Sequence, residues 1–328
     1  MANIDSKKLS VKDFMHSLMS GVLSDDIIES YVLALNEKGV TAENIFDAAT
    51  VMRQFSKQVV IQDKTHLVDT CGTGGDGIQT FNVSTLSAIV AASAGVKVAK
   101  HGGRSVSSKC GSADVLEALG VNVNLTADKV AKLVDQIGIA FMFAPNFHPA
   151  MRYAAPVRKK LGIRTIFNVL GPLANPALAT RQVLGVYDMS LTQTMAEVLS
   201  KLGSEHVMVV HGEDGMDEIS IASPTTVTEL KNKTITTYTI KPTDFGLDLA
   251  DLKTIQVENV DASKAMMIDV LKGSHGPHRN ITILNAGAAI YVSGITSTLN
   301  EGIEKAISVI DQGLALKKLE ALKVASHG

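Results

Sequence analysis

The stretch "VDTCGTGGDGIQTFNVST", Val68 to Thr85, carries an apolar, strand-like run into a burst of glycines and out into an apolar, helix-like run. Glycines let backbone N–H groups approach an anion closely and form a concave nest. The helix expected to begin near Val83 turns its free N–H groups to the same place. Asn82, Ser84 and Thr85 add side-chain donors there. "GTGGDG", Gly72 to Gly77, also fits G-x-G-x-x-G, the turn of dinucleotide-binding folds. That reading expects an acid about twenty residues further on to hold a ribose hydroxyl, and no Asp or Glu occurs between Asp76 and Asp114. A Walker loop fails as well, because no Gly-Lys-Ser/Thr follows. Asp76 repels phosphate and makes sense in an anion loop if a divalent cation or a sugar hydroxyl lies between them. The plain alternative is a tight structural turn with an ordinary cap, and one turn seldom needs so many glycines.

Further along, "KHGGRSVSSKCGSAD", Lys100 to Asp114, repeats the arrangement after "VKVA" and before the helix "SADVLEALG". Parallel strands place both loops at one sheet edge, where open α/β sheets bind ligands. Between Asp76 and Asp114 the charged residues are Lys97, Lys100, Arg104 and Lys109, with His101 beside them. Positive charge is thus expected to collect at that edge, in a chain whose formal net charge is −2. Ser105, Ser107, Ser108 and Ser112 add hydroxyl donors, so the segment reads as a second phosphate cradle rather than a solvated basic loop.

Glycine-bounded strands such as "HLVDT", "IAFMFAP" and "HVMVVHG" alternate with amphipathic helices such as "TADKVAKLVDQIG", capped by Thr126. The pattern predicts an α/β fold with a mainly parallel central sheet flanked by helices. Residues 225–260, rich in Thr, Ile and Val, are candidates for extra strands, and the tail from "TLNEG" reads as helix. The first sixty-five residues are different. Ser10, Ser24 and Thr41 start three helices, Gly39 ends the second, and Ile45, Ala48, Ala49 and Met52 share one face. The expected division is a small helical domain, 1–65, joined by part of 145–185, and an α/β domain, 66–328. Pro145, Pro149, Pro172 and Pro176 break the joining segment into rigid turns that suit a hinge or the wall of an aromatic pocket.

The near-neutral charge argues against a general nucleic-acid binder. Cys71 and Cys110 make no disulfide framework, the N-terminus lacks a signal-peptide core, and no run of about 18 apolar residues occurs. A cytoplasmic protein with no membrane span is expected.

Taken together, "GTGGDG" with "TFNVST", "KHGGRSVSSKCGSADVLEALG", "RTIFNVLGPLANP" and a later "GMDE" resemble anthranilate phosphoribosyltransferases along nearly the whole chain. The resemblance implies transfer of a phosphoribosyl group from 5-phosphoribosyl-1-pyrophosphate to the anthranilate amine, Mg2+ with two ions per subunit, a cleft between a helical and an α/β domain, and a homodimer. It implies that Gly72, Gly74, Gly75 and Asp76 hold pyrophosphate and ribose, and that Thr80, Asn82, Ser84 and Thr85 bind the donor. Lys100, His101, Gly102, Gly103, Arg104, Ser105, Val106, Ser107 and Ser108, with Ser112, are to close over it. Ser84, Asp217 and Glu218 match the metal residues. Arg158 matches the arginine for the anthranilate carboxylate, with Gly72, His101 and Gly103 beside the acceptor. By position alone Arg158 reads as a surface arginine beside Lys159 and Lys160, and the acid pair as an exposed turn. Gly103 stands where the family usually has asparagine, so the acceptor side lacks one amide.

Departure of pyrophosphate builds cationic character on the ribose and negative charge on the leaving group, so donors aimed at that charge should carry the rate. The aromatic amine is largely neutral and attacks with little activation; no general base is assigned. Two other readings stand beside the transferase: a pyrimidine nucleoside phosphorylase-like enzyme, and a binding protein for phosphoribosyl compounds with an altered acceptor.

Overall fold

The structure, a computed structural model, describes residues 9–104 and 110–328. Three helices come first: α1 (Val11–Met19), α2 (Asp25–Lys38) and α3 (Ala42–Gln54). Then follow β1 (Leu67–Gly72), α4 (Val83–Ser93), β2 (Lys97–Gly102), α5 (Ser112–Ala118), α6 (Ala127–Ile137) and β3 (Ile139–Phe143). The chain next leaves the sheet through α7 (Ala144–Phe147), a 3-10 turn (Pro149–Tyr153), α8 (Ala155–Leu161) and α9 (Phe167–Leu170). It returns with β4 (Arg181–Gly185), α10 (Leu191–Lys201), β5 (His206–Gly212) and the hairpin of β6 (Thr225–Lys231) and β7 (Thr234–Ile240). Four helices close the chain: α11 (Val260–Leu271), α12 (Pro277–Ser293), α13 (Leu299–Asp311) and α14 (Leu314–His327). Among the described residues no helix is long and apolar enough to cross a membrane.

The sheet order is β3-β2-β1-β4-β5-β6-β7. The first five strands are parallel; β6 and β7 run antiparallel at one edge. From β1 the chain winds to one side through β2 and β3, then restarts on the other side at β4. The switch point therefore lies between β1 and β4, the place where open α/β sheets leave a crevice at their strand ends.

Both sheet faces are covered, which is why β5 is a continuous apolar run rather than an alternating one. Met208 and Val210 pack on one face with the core of α4 and α12 to α14. Val207 and Val209 point the other way, into a core shared with α1, α3 and α10. That second core also takes in Ala154 and Val157 of the crossing segment, Ile166 to Leu170, and Leu184 of β4. Leu67, Ala99 and Ala140 meet α6 in a third cluster. Local signals agree with these positions: Ser10, Thr41 and Thr126 each accept a capping bond, from the N–H groups of Asp13, Asn44 and Lys129. Segment 57–59 is laced to the crossing segment, with Lys57 N–H donating to Phe147 O and Val59 N–H to Pro176 O.

Candidate active site

At the switch point β1 and β4 end side by side, Gly72 paired with Gly185. A side chain at either glycine would collide with Asp217, at its carboxylate over Gly72 and at its backbone over Gly185. These glycines are small so that the acidic turn after β5 can lie directly on the strand ends. Beyond Gly72, Gly74, Gly75 and Gly77 have φ of +65°, +80° and +77°, a left-handed backbone that L side chains resist. The loop curls there, and Gly74 N–H donates to Asp217 Oδ2 at 2.7 Å. The two readings of the sequence, an anion loop and an acidic pair 140 or so residues apart, thus meet at one point.

The acidic turn is itself braced. Asp214 accepts from Met216 N–H at 3.2 Å and from the Ser220 hydroxyl at 2.5 Å, which fixes the bend that carries Asp217 and Glu218. Burial pushes the Asp217 carboxyl up to about 7, Asp76 adds to this, and the Gly74 N–H opposes it. Glu218 is raised well above the ordinary range by burial and by Asp217, with Lys100 pulling it back. Lys100 is buried; its Nζ donates to Thr70 O and, at 3.3 Å, to Ser84 Oγ. Burial lowers its pKa while Asp69, Cys71, Glu218 and Asp217 favour its charged form. Asp69, buried and raised by burial against the pull of Lys100, accepts from His101 N–H at 3.1 Å and from the Asn175 amide at 2.8 Å. Asp76, Asp217 and Glu218 repel one another around Ser84. A divalent cation removes that conflict, so the donor set fits Mg2+. Among the described residues no three such side chains form a ready-made cage; Mg2+ commonly takes one or two carboxylates and completes its shell with substrate phosphate and water.

The second loop joins the first through Thr85, whose hydroxyl donates to Ser112 Oγ at 3.0 Å. Several sequence expectations shift here. Lys97 sits at the opposite end of β2 and pairs with Asp63, so it adds no charge to the site edge. Arg104 turns back onto α5, 2.8 Å from Asp114 and 2.6 Å from Glu117, because those acids lie one helical turn apart facing it. The Asn82 side chain has structural partners as well: one amide N–H donates to Cys110 O at 3.1 Å and its oxygen accepts from the Ser263 hydroxyl at 2.9 Å. It cross-braces the two loops instead of capping α4. Thr80 forms an isolated bridge with Gln256. Gly102 packs against Phe141 and Ser112, whereas a Cβ at Gly103 would meet nothing within 4 Å among the described residues. Ser105, Val106, Ser107 and Ser108 lie outside the described residues.

His101 and His148 are buried, each with an Nε2 that has no partner among the described residues, and the rings lie 5.0 Å apart. Burial holds His101 down to about 3 and His148 to about 4. Arg158, on α8, is half-buried over Phe167 at 5.8 Å, with its pKa lowered by burial. No carboxylate or carbonyl among the described residues partners its guanidinium. A half-buried cation without an anion is an open request for one. Arg158 is thus half-buried rather than the exposed surface arginine that its position suggests. Gly185, the Asp214–Ser220 brace, Ser263 and His148 are site features that sequence reasoning missed.

Strand-end anion loops joined to buried acids define a group-transferring α/β enzyme, and residues 64–316 match the family model described as glycosyl transferase family, a/b domain. The anthranilate phosphoribosyltransferase of Methylobacillus flagellatus is 54% identical over 96% of this chain and 92% of its own length. That of Nitrosomonas europaea is 51% identical, covering 94% and 91%. The Thermus thermophilus enzyme of that name superposes with a TM-score of 0.92 at 38% identity, over 99% of this chain and 96% of that one. The Saccharomyces cerevisiae enzyme, solved in complex with PRPP and Mg, gives 0.89 at 30% identity, over 98% and 94%. The chain belongs to the anthranilate phosphoribosyltransferase family.

Proposed function

We propose that this chain transfers the phosphoribosyl group of 5-phosphoribosyl-1-pyrophosphate to the anthranilate amine, at the crevice between β1 and β4. The observation that carries the reading is the meeting of the glycine loop, Lys100, Ser84, Asp217 and Glu218 at that switch point. The amine nitrogen forms a bond to C1 of the ribose as the bond from C1 to pyrophosphate breaks. The electron pair leaves with pyrophosphate, and the nitrogen releases one proton to solvent. The loop of Gly72, Gly74, Gly75 and Asp76, its Gly74 N–H held by Asp217, and the N–H groups of the first turn of α4 hold the pyrophosphate and ribose, with Thr80, Asn82, Ser84 and Thr85 at the rim. Lys100, with residues 101–108 and Ser112 around the donor, adds charge-assisted contacts, each worth about 1.5–3 kcal/mol. Arg158 orients the anthranilate carboxylate with its planar fork, and His101 and Gly103 border the acceptor. Asp217, Glu218 and Ser84 would hold Mg2+, which supplies neutralisation of the leaving oxygens.

Finer features belong to the same reading: two ions per subunit, a homodimer, a cytoplasmic setting, and a division into residues 1–65 with part of 145–185 and residues 66–328. Two cysteines, Cys71 and Cys110, are too few for a disulfide framework, which supports a reducing compartment. With the family in place, the phosphorylase and non-enzymatic readings lose their ground. The test is direct. Anthranilate fluorescence falls when the donor and Mg2+ are added to pure protein, and mass spectrometry finds N-(5-phosphoribosyl)anthranilate; retention of both substrates across pH and metal conditions would overturn the assignment.

A further inference from the structure

Arg164 lies in the turn after α8, exposed, and makes no ion pair among the described residues. Its charge is directed at backbone instead. The Nη2 atom donates to Gly75 O at 2.7 Å, and the guanidinium stacks 3.9 Å over the Tyr187 ring. Tyr187 N–H in turn donates to Thr73 Oγ1 at 3.1 Å, and Thr73 N–H to Gly185 O at 2.9 Å. From the other side, the Asn36 amide of α2 donates to Arg164 O at 2.8 Å. One residue therefore connects the first helical layer, the end of the helix that carries Arg158, and both limbs of the glycine loop.

The loop needs such a restraint. Gly74 and Gly75 both sit in the left-handed region, and glycine samples more backbone states than any other residue. A trans peptide unit is planar, with its C=O and N–H pointing in opposite directions. Holding Gly75 C=O outward on Arg164 aims the Asp76 N–H the other way, into the loop. We propose that Arg164 is a positioning residue for the donor: by pinning Gly75 C=O it keeps the N–H groups of the nest converged before the pyrophosphate arrives. The proposal rests on the reading of this loop as the donor cradle, and its test separates the two.

Amide hydrogen exchange is measured on free wild-type, Arg164→Ala and Arg164→Lys proteins, alongside KM for each substrate. Arg164→Ala should speed exchange in residues 73–78 selectively and raise the donor KM about tenfold, the loss of one charge-assisted hydrogen bond. The anthranilate KM should change less than about twofold. Arg164→Lys keeps a donor but not the planar stack, and should recover part of both effects. Unchanged exchange with a raised donor KM would mean that Arg164 meets the donor itself, and overturns the proposal. Faster exchange with an unchanged donor KM would leave the pin in place but remove the loop from donor binding. Faster exchange spread over the whole chain, with a lowered thermal midpoint, would reduce Arg164 to a general stabiliser and equally overturn it.

Discussion

Two buried carboxylate sites in this molecule are built on opposite principles. Glu229, on β6, accepts from His206 Nε2 at 2.7 Å and from the hydroxyls of Tyr238 and Tyr291 at 2.8 Å each. Burial raises its pKa, but those three donors outweigh burial and hold the carboxyl below its ordinary value. Asp217 and Glu218, at the ends of β1 and β4, show the reverse: burial and like charge raise both, with few donors in opposition. A satisfied carboxylate is a structural tie. A crowded, undersupplied group of carboxylates is a place kept at a cost in stability for something positive to bind. The contrast separates function from architecture without appeal to position in the chain.

The sharpest way to break the contrast is to neutralise the crowded pair. Asp217→Asn with Glu218→Gln should lower kcat/KM by about a thousandfold, since the charge on the leaving group loses its counter-ion. The metal-free fold should be as stable as wild type or more so, because the repulsion is gone. Mg2+ with the donor should no longer raise the thermal midpoint. Activity within tenfold of wild type would remove the acid pair from the reaction.

The mirror experiment is Glu229→Ala. It strands His206, Tyr238 and Tyr291 without their acceptor, a loss of about 3 kcal/mol of stability, with both KM values nearly unchanged. The effect has a pH signature. The folded carboxyl is depressed, so its contribution is present above the ordinary glutamate value near 4.5 and is lost as pH falls through the folded value. The stability gap between variant and wild type should therefore narrow below about pH 4. A gap that widens on acidification would reverse the assigned sign.

Arg158 extends the contrast from anions to cations. Arg104 is satisfied by Asp114 and Glu117, whereas Arg158 has no anionic partner among the described residues. Arg158→Ala should raise the anthranilate KM about 30-fold, the worth of a desolvated charge-assisted pair, and leave the donor KM nearly alone. A loss confined to the donor would place Arg158 on the wrong substrate.

The same contrast explains what was legible in the sequence. Glycines forced to positive φ leave a compositional mark, so the loop from Gly72 to Gly77 could be read before any strand was placed. Ser10, Thr41 and Thr126 were equally plain, because a cap bonds within its own turn. Legibility ends where a residue acts across the fold. Gly185 is needed only because Asp217 lies on it, and Arg164 matters only because Gly75 O comes within its reach. The bracing of Asn82 by Cys110 and Ser263 could not be read from the chain, and Lys97 looked like part of a basic edge until β2 placed it at the far end. The helix α12 left no periodic trace because nearly every residue in it is buried.

The smallest predicted effect concerns Gly103. Its backbone is not left-handed, and a Cβ there meets nothing within 4 Å among the described residues, so asparagine is expected to enter without strain. Gly103 O accepts from Ala113 N–H at 3.1 Å, a bond that any side chain at this position leaves intact. Gly103→Asn should raise stability by up to about 1 kcal/mol, because the unfolded chain loses glycine's freedom. If residue 103 borders the anthranilate, the new amide should also lower the acceptor KM about threefold, a neutral hydrogen bond partly offset by rotamer entropy, without moving the donor KM. A variant that gains stability while the acceptor KM stays fixed would show that the acceptor lies out of reach of this position. Arg158 would then carry the recognition of anthranilate without help from the second loop.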